Sequence, residues 1–183
     1  MAIKHLYHPY PVVPCIIIVK HNNKINGMSV AWHTPLSFSP PLYGVLISPK
    51  RYTYELIVQA KDFTINFVDF EMAKLYAIMG RISGRDRDKI KDFNIELAES
   101  SKVNSPYLKG AYAVYECLKH RQVKTGDHIM FVGEIVETHE NEEKFTEKGL
   151  PDMKKLKPAF YLGKDNYFTL KDIEGPFVIL PEE

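Results

Sequence analysis

Apolar residues along the chain alternate between a strand rhythm and a helix rhythm. Cys15-Ile16-Ile17-Ile18-Val19 is a nearly all β-branched run in a proline-flanked segment, too short for a helix, and reads as a buried strand. His21-Asn22-Asn23-Lys24 follows as a turn, and the chain returns through Ile25 to Trp32, which makes the first unit a hairpin. Pro35, Pro40 and Pro41 keep the next stretch irregular until Leu42-Tyr43-Gly44-Val45-Leu46-Ile47, a strand apolar enough to be covered on both faces. From Thr53 the period changes. Leu56, Ile57 and Ala60 recur at helical spacing behind Thr53 as N-cap, so residues 54–59 form a short helix. Phe63, Ile65 and Phe67 then alternate with Thr64, Asn66 and Val68 as a half-buried strand. Residues 71–79 are helical in composition, and residues 80–89 form a polar loop running into another short helix. Residues 111–118 alternate again, with residues 128–136 as their antiparallel partner across the turn Thr125-Gly126-Asp127. Residues 141–157 are an exposed polar excursion, and residues 159–162 supply a last short strand. About six strands, joined by short turns and interrupted by two or three short helices, predict a closed antiparallel barrel with helical insertions rather than a parallel doubly wound sheet. No repeat or composition shift marks a second domain, so residues 1–183 are read as one, with a core over about 10–165 and a C-terminal tail from 166 to 183.

Composition then removes whole classes of function. The 183 residues carry 24 basic against 23 acidic side chains and no basic block, which does not suit the neutralisation of a nucleic-acid backbone. No apolar segment approaches the roughly 20 residues that span a bilayer, and Met1-Ala2-Ile3-Lys4-His5 lacks the apolar stretch of a signal peptide, so the expected location is the cytoplasm, away from membranes. Cys15 and Cys117 lack metal or redox spacing and read as reduced packing residues. His5-x-x-His8 has no nearby third ligand, and no metal site is expected. The surplus is aromatic, with 11 Tyr, 10 Phe and one Trp, which suits strands and a ligand with flat faces.

The local signatures of the Rossmann dinucleotide site, the P-loop, the zinc proteases and the nucleophile elbow are all absent from the sequence, so a cofactor must be held another way. Pro49-Lys50-Arg51-Tyr52-Thr53 opens the first helix, where amides, helix dipole, guanidinium and hydroxyl can converge on one anion the size of a monophosphate. The competing reading is that Thr53 only caps the helix and Arg51 lies in solvent. Ser83-Gly84 with Lys89 offers a second hydroxyl, a flexible backbone and another cation, against a solvated loop in which Arg85-Asp86 and Arg87-Asp88 compensate each other. Residues 26–41 place hydroxyls and small residues at the end of an apolar strand. Met28 or Trp32 could lie there against a planar heterocycle, or Trp32 could simply be core.

Five strings in order carry a family resemblance: Asn26-x-Met28-Ser29-x-x-Trp32-x-x-Pro35-x-Ser37-x-x-Pro40-Pro41, Arg51-x-Thr53-x-Glu55-Leu56-Ile57, Phe63-x-Ile65-Asn66, Ser83-Gly84-x-x-x-Asp88-Lys89 and Gly126-Asp127-His128-x-x-x-x-Gly133-Glu134. Together, over residues 10–165 approximately, they resemble the flavin reductase-like FMN-binding split-barrel family, the flavoredoxin branch in particular. The resemblance implies a six-stranded antiparallel split β-barrel with a few short helices, assembled as a homodimer with FMN near the subunit interface. It also implies electron transfer from NADH or NADPH to flavin or a flavin-linked acceptor. Carried over by position, Met28, Ser29, Val30, Ala31 and Trp32 line the isoalloxazine, largely through backbone groups. Ser48, Arg51 and Thr53 take the phosphate, assisted by Ser83, Gly84 and Lys89. His128 lies near the flavin and the nicotinamide site and tunes the rate, since hydride transfer to flavin needs no protein acid. The implied activity is an NAD(P)H-dependent flavin reductase serving free flavin, ferric or protein acceptors. The alternatives are a flavoredoxin-like electron carrier with no nicotinamide site of its own, and a split-barrel binder of another phosphorylated heterocycle, such as a deazaflavin or pyridoxal phosphate.

Overall fold

In the computed structural model, which describes residues 6–171, the β-branched run forms β1 (Cys15–His21), with Cys15 to Val19 fully buried. Both faces are covered. Ile17 and Val19 point into the barrel interior with Val45, Ile57, Phe63 and Phe131, whereas Ile16 and Ile18 point out against Tyr76, Met79 and Leu108. β1 pairs with β2 (Lys24–Val30), β3 (His33–Phe38) pairs with β4 (Pro41–Ile47), and helix α1 (Tyr52–Gln59) leads into β5 (Asp62–Phe67). Then come a 3₁₀ turn at residues 70–72, α2 (Lys74–Arg81), α3 (Lys89–Asp92), the short pair β6 (Leu97–Ala98) and β7 (Tyr107–Leu108), and the long pair β8 (Ala113–Thr125) and β9 (His128–Glu140). A separate hairpin of β10 (Phe160–Gly163) and β11 (Asn166–Phe168) follows.

Seven strands make one antiparallel sheet in the order β2-β1-β5-β8-β9-β4-β3. Its two edge strands, β2 and β3, are consecutive in the chain and joined through Ala31-Trp32. The chain leaves β1 after Val30, and the Leu46 amide donates to the Trp32 carbonyl at 3.0 Å, so the segment has crossed to β4 within two residues. The sheet thereby curls on itself into a split barrel.

The count of seven corrects the expected six. The extra strand is β3, where three prolines suggested irregular chain. Pro35 is tolerated because β3 pairs on one side only and its register shifts between Pro35 and Ser37. β8 and β9 are 13 residues each, longer than their apolar alternation showed, because residues 121–125 are paired but exposed and polarity reports burial rather than pairing. β5 is buried at all six positions, not on one face. Its polar side chains are satisfied internally: Thr64 Oγ1 donates to Pro106 O at 2.8 Å, Asn66 Nδ2 to Ile16 O at 3.0 Å, and the Leu108 amide to Asn66 Oδ1 at 2.8 Å. The helical stretch at 71–79 divides into the 3₁₀ turn and α2. The segment 172–183, most of the expected tail, lies outside the described residues.

Candidate functional site

Two adjoining clefts open where β2 gives way to the Ala31-Trp32 bend. The broader, of about 400 Å³, is lined by Met28 to Trp32, by Leu46, Ser48 and Arg51, by His128 at the start of β9, and by Tyr7, Tyr10 and Tyr161 at its rim. The narrower, of about 130 Å³, is lined by Asn26, Met28, Lys50 to Thr53, Met79 to Arg85, and Lys89. Met28 and Arg51 face both, so one groove runs from an aromatic slot into a polar end. Every residue that the sequence singled out for ring, phosphate or nicotinamide lines one of the two.

The narrow end is built on the start of α1. Its N-cap is Arg51, with no side-chain cap, so the expectation that Thr53 caps the helix is corrected. Thr53 sits in the first turn, 2% exposed, and its Oγ1 accepts from Asn26 Nδ2 at 2.7 Å, which leaves the hydroxyl proton available. Arg51 is exposed and has no carboxylate partner among the described residues. Lys89 is 2% exposed, and its Nζ donates to Met79 O at 3.0 Å and Ile82 O at 2.8 Å, holding carbonyls at the end of α2 and leaving one N–H uncommitted. Burial, with the Arg51 charge adding to it, pushes the Lys89 ammonium down to about 8.

Gly84 closes this end. A Cβ there would lie 2.4 Å from Asn26 Oδ1 and 2.5 Å from Tyr52 Cδ1, so only glycine fits. Arg85 beside it pairs with Glu55, donates to Lys50 O at 3.2 Å and lies 5.8 Å over the Tyr52 ring. The loop is therefore fastened to α1. The self-compensating pairs expected from sequence do not form, because adjacent side chains diverge on a turn: Arg87 pairs with Asp92 at 2.8 Å, and Asp88 accepts from the Lys91 amide at 3.2 Å.

At the broad end, Trp32 is 37% exposed, donates from Nε1 to Tyr10 OH at 3.2 Å, and lies 4.9 Å from the His128 ring, so it belongs to the rim and not to the core. His128 Nδ1 is held 2.7 Å from Asp127 Oδ1, and this hydrogen bond with the nearby imidazole draws the Asp127 carboxyl below the usual range. Ser29 Oγ donates to Tyr76 O at 2.6 Å, so its hydroxyl is already engaged within the protein. Sequence reasoning missed Tyr10 and Tyr161, which meet through the Val12–Tyr161 bridge between distant segments that carry no local signature. It quoted Asn26 without giving it a role, although an amide inside a strand was a usable signal. Among the described residues no group of three His, Cys, Asp or Glu could hold a metal, and His5 lies outside them.

Comparison with known proteins bears on this groove. The family model described as a flavin reductase like domain matches residues 6–170. An uncharacterized protein of Archaeoglobus fulgidus is 38% identical over 135 residues, 74% of this chain and 76% of its own length. Against an Aeropyrum pernix relative, 30% identical over 85% of this chain, the match spans only 59% of the relative's length. Among solved structures, an FMN-binding protein from Thermus thermophilus with bound 1-cyclohex-2-enone aligns with a TM-score of 0.86 and 34% identity, covering 96% of each chain. Flavoredoxin from Methanosarcina acetivorans aligns with a TM-score of 0.82 and 26% identity, covering 96% of this chain and 94% of that one.

Proposed function

Since the chain belongs to the flavin reductase like domain family, we propose that it is an FMN-dependent oxidoreductase that takes electrons from NADH or NADPH and delivers them to free flavin, a ferric chelate or a protein acceptor. The observation that carries this reading is the continuity of the two clefts through Met28 and Arg51, a flat aromatic slot leading into an anion cradle. The cradle fits a phosphate monoester. Lys50, Arg51, Arg81, Arg85 and Lys89 line it, and no carboxylate does. Arg51, the spare Lys89 N–H and the Thr53 hydroxyl are the donors that would hold the phosphate, with Ser83 and Ser48 at the margins, while the backbone of residues 28–32 would border the ring.

Bound there, FMN supplies a two-electron carrier able to accept a hydride from a nicotinamide and pass electrons on. The protein's own part is binding and orientation. With Nδ1 held by Asp127, His128 has Nε2 left to meet a molecule entering beside Trp32. His128→Ala is expected to slow reduction by nicotinamide about tenfold or less, with FMN affinity unchanged, as stopped-flow absorbance and a binding titration would report. Two free, buried cysteines suit a reducing cytoplasm. An outward apolar row of Leu36, Met130 and Val123 supports assembly as a homodimer.

Anaerobic addition of NADH or NADPH to the FMN-loaded protein should bleach the flavin absorbance. If both leave it unchanged and dithionite bleaches it, the protein is instead an electron carrier, a reading that the similarity to flavoredoxin favours.

Lys89 gives FMN affinity a pH dependence. A phosphate dianion favours the charged ammonium, so affinity is greatest between the second phosphate pKa of about 6 and a pH somewhat under 8, and declines as pH rises through the value of about 8. Guanidinium groups do not titrate in this range. The expected loss is roughly five- to tenfold between pH 7.5 and 9, and Lys89→Met should flatten the profile in isothermal titration.

A further inference from the structure

Resting on the FMN reading, we propose that the narrow cleft is a blind pocket that admits a terminal phosphate monoester and shuts out a dinucleotide. The chain would then retain FMN and reject FAD, with Arg85 fastening the wall that decides between them. Its volume of about 130 Å³ accommodates a phosphate group with little to spare, and is well short of the roughly 300–1,000 Å³ of sites that enclose larger ligands. The wall is the contact of Gly84 with Asn26 and Tyr52, which leaves no room even for a methyl group.

Beyond that wall lies a second polar depression of about 470 Å³, which shares Asn26, Tyr52, Gly84, Arg85 and Lys89 with the cradle and adds Lys24, Asp88 and Arg87, the last already paired with Asp92. The close approach of Gly84 to Asn26 and Tyr52, three residues that border both, marks the boundary between the two. Arg85 keeps that layer shut through three contacts on α1 and the turn before it: the Glu55 carboxylate, the Lys50 carbonyl and the Tyr52 ring. Released, the loop would let a second phosphate and its nucleoside pass from the cradle into a depression that offers Lys24 as a further cation.

The test measures the affinities of FMN, FAD and riboflavin for the apoprotein and for the variants Arg85→Ala and Glu55→Gln, which loosen the strap from opposite ends. Both replaced side chains are exposed, and a melting curve checks that each variant is folded. For the wild type, FMN should bind at least roughly tenfold more tightly than FAD, with FAD no tighter than riboflavin. Either variant should narrow the FMN-to-FAD ratio by about tenfold, through a gain for FAD. A wild-type ratio below tenfold, or a ratio that moves in neither variant, overturns the proposal and leaves the FMN reading standing. Failure of all three flavins to bind removes the FMN reading itself, and the selectivity with it.

Discussion

Arg51→Ala is expected to weaken FMN binding about 10- to 100-fold and to leave riboflavin within about twofold, the loss matching one charge-assisted hydrogen bond of about 1.5–3 kcal/mol. Arg51, like Lys50 beside it, is an exposed cation of the cradle without a carboxylate ion pair among the described residues, and it sits at the N-cap of a helix that has no side-chain cap. Its guanidinium is thus free for an anion. Because Arg51 also depresses Lys89, its removal relieves a repulsion in the empty protein, and the apo melting temperature should hold or rise. That opposition separates a binding defect from a folding defect. Arg51→Lys should recover part of the affinity, since it restores the charge but not the two-pronged geometry. Thr53→Val is a poorer test because it strips the buried Asn26 amide of its acceptor. Equal losses for FMN and riboflavin in a fluorescence titration of Arg51→Ala would move the phosphate to another part of the groove.

The largest stability effect is expected at Glu116, a buried carboxylate on β8 far from the groove in function. It accepts from the Ser101 amide at 2.8 Å, the Lys102 amide at 2.7 Å and His139 Nε2 at 2.5 Å, and so anchors the loop that covers the polar side chains of β5. Glu116→Ala leaves those donors without their acceptor. A cost of about 3 kcal/mol, the low end for a broken buried pair because His139 is partly exposed, corresponds to a fall of about 6–12 °C in melting temperature. Burial raises the Glu116 carboxyl, but the His139 and amide hydrogen bonds outweigh it and hold the group below the usual range. Its folded value being depressed, the stabilisation is complete above the ordinary carboxylate range and is lost as pH falls through the folded value. Wild type and Glu116→Ala should therefore converge in acid, and a variant that melts within about 2 °C of wild type at neutral pH would show that the loop is held by other contacts.

The two sites differ in how much of them could be read beforehand. Arg51, Thr53, Ser83, Gly84 and Lys89 lie on two short segments whose residue types suit an anion, so their common purpose was visible although not how they meet. The closing contacts were hidden. Gly84 against Asn26 and Tyr52, and Arg85 on Glu55, join segments about 30 or more positions apart, and nothing local records such distances. For the fold, β1 was plain because five consecutive apolar residues have few other uses, whereas β3 was concealed by prolines that an edge strand tolerates. Glu116 reads as one polar residue of an alternating strand, and its burial depends on Ser101, Lys102 and His139 arriving from both sides. The residues alone leave Trp32 between core and ligand face, and its bond to Tyr10 puts it at the rim of the broad cleft.

The bend at Ala31-Trp32 does two jobs with one stretch of backbone, since it closes the barrel through the Leu46 amide and also borders the broad cleft. On the proposed FMN reading, a ring bordered by main chain would be insulated from much of the mutation that falls on residues 28–32. Tyr10, Tyr161 and His128, which line the same cleft from elsewhere in the chain, could then drift and alter what approaches that ring while leaving its cradle intact. Under that proposal such a division would favour the diversification of substrates on a constant cofactor scaffold, and it marks those three positions as the ones to randomise when a new electron acceptor is sought.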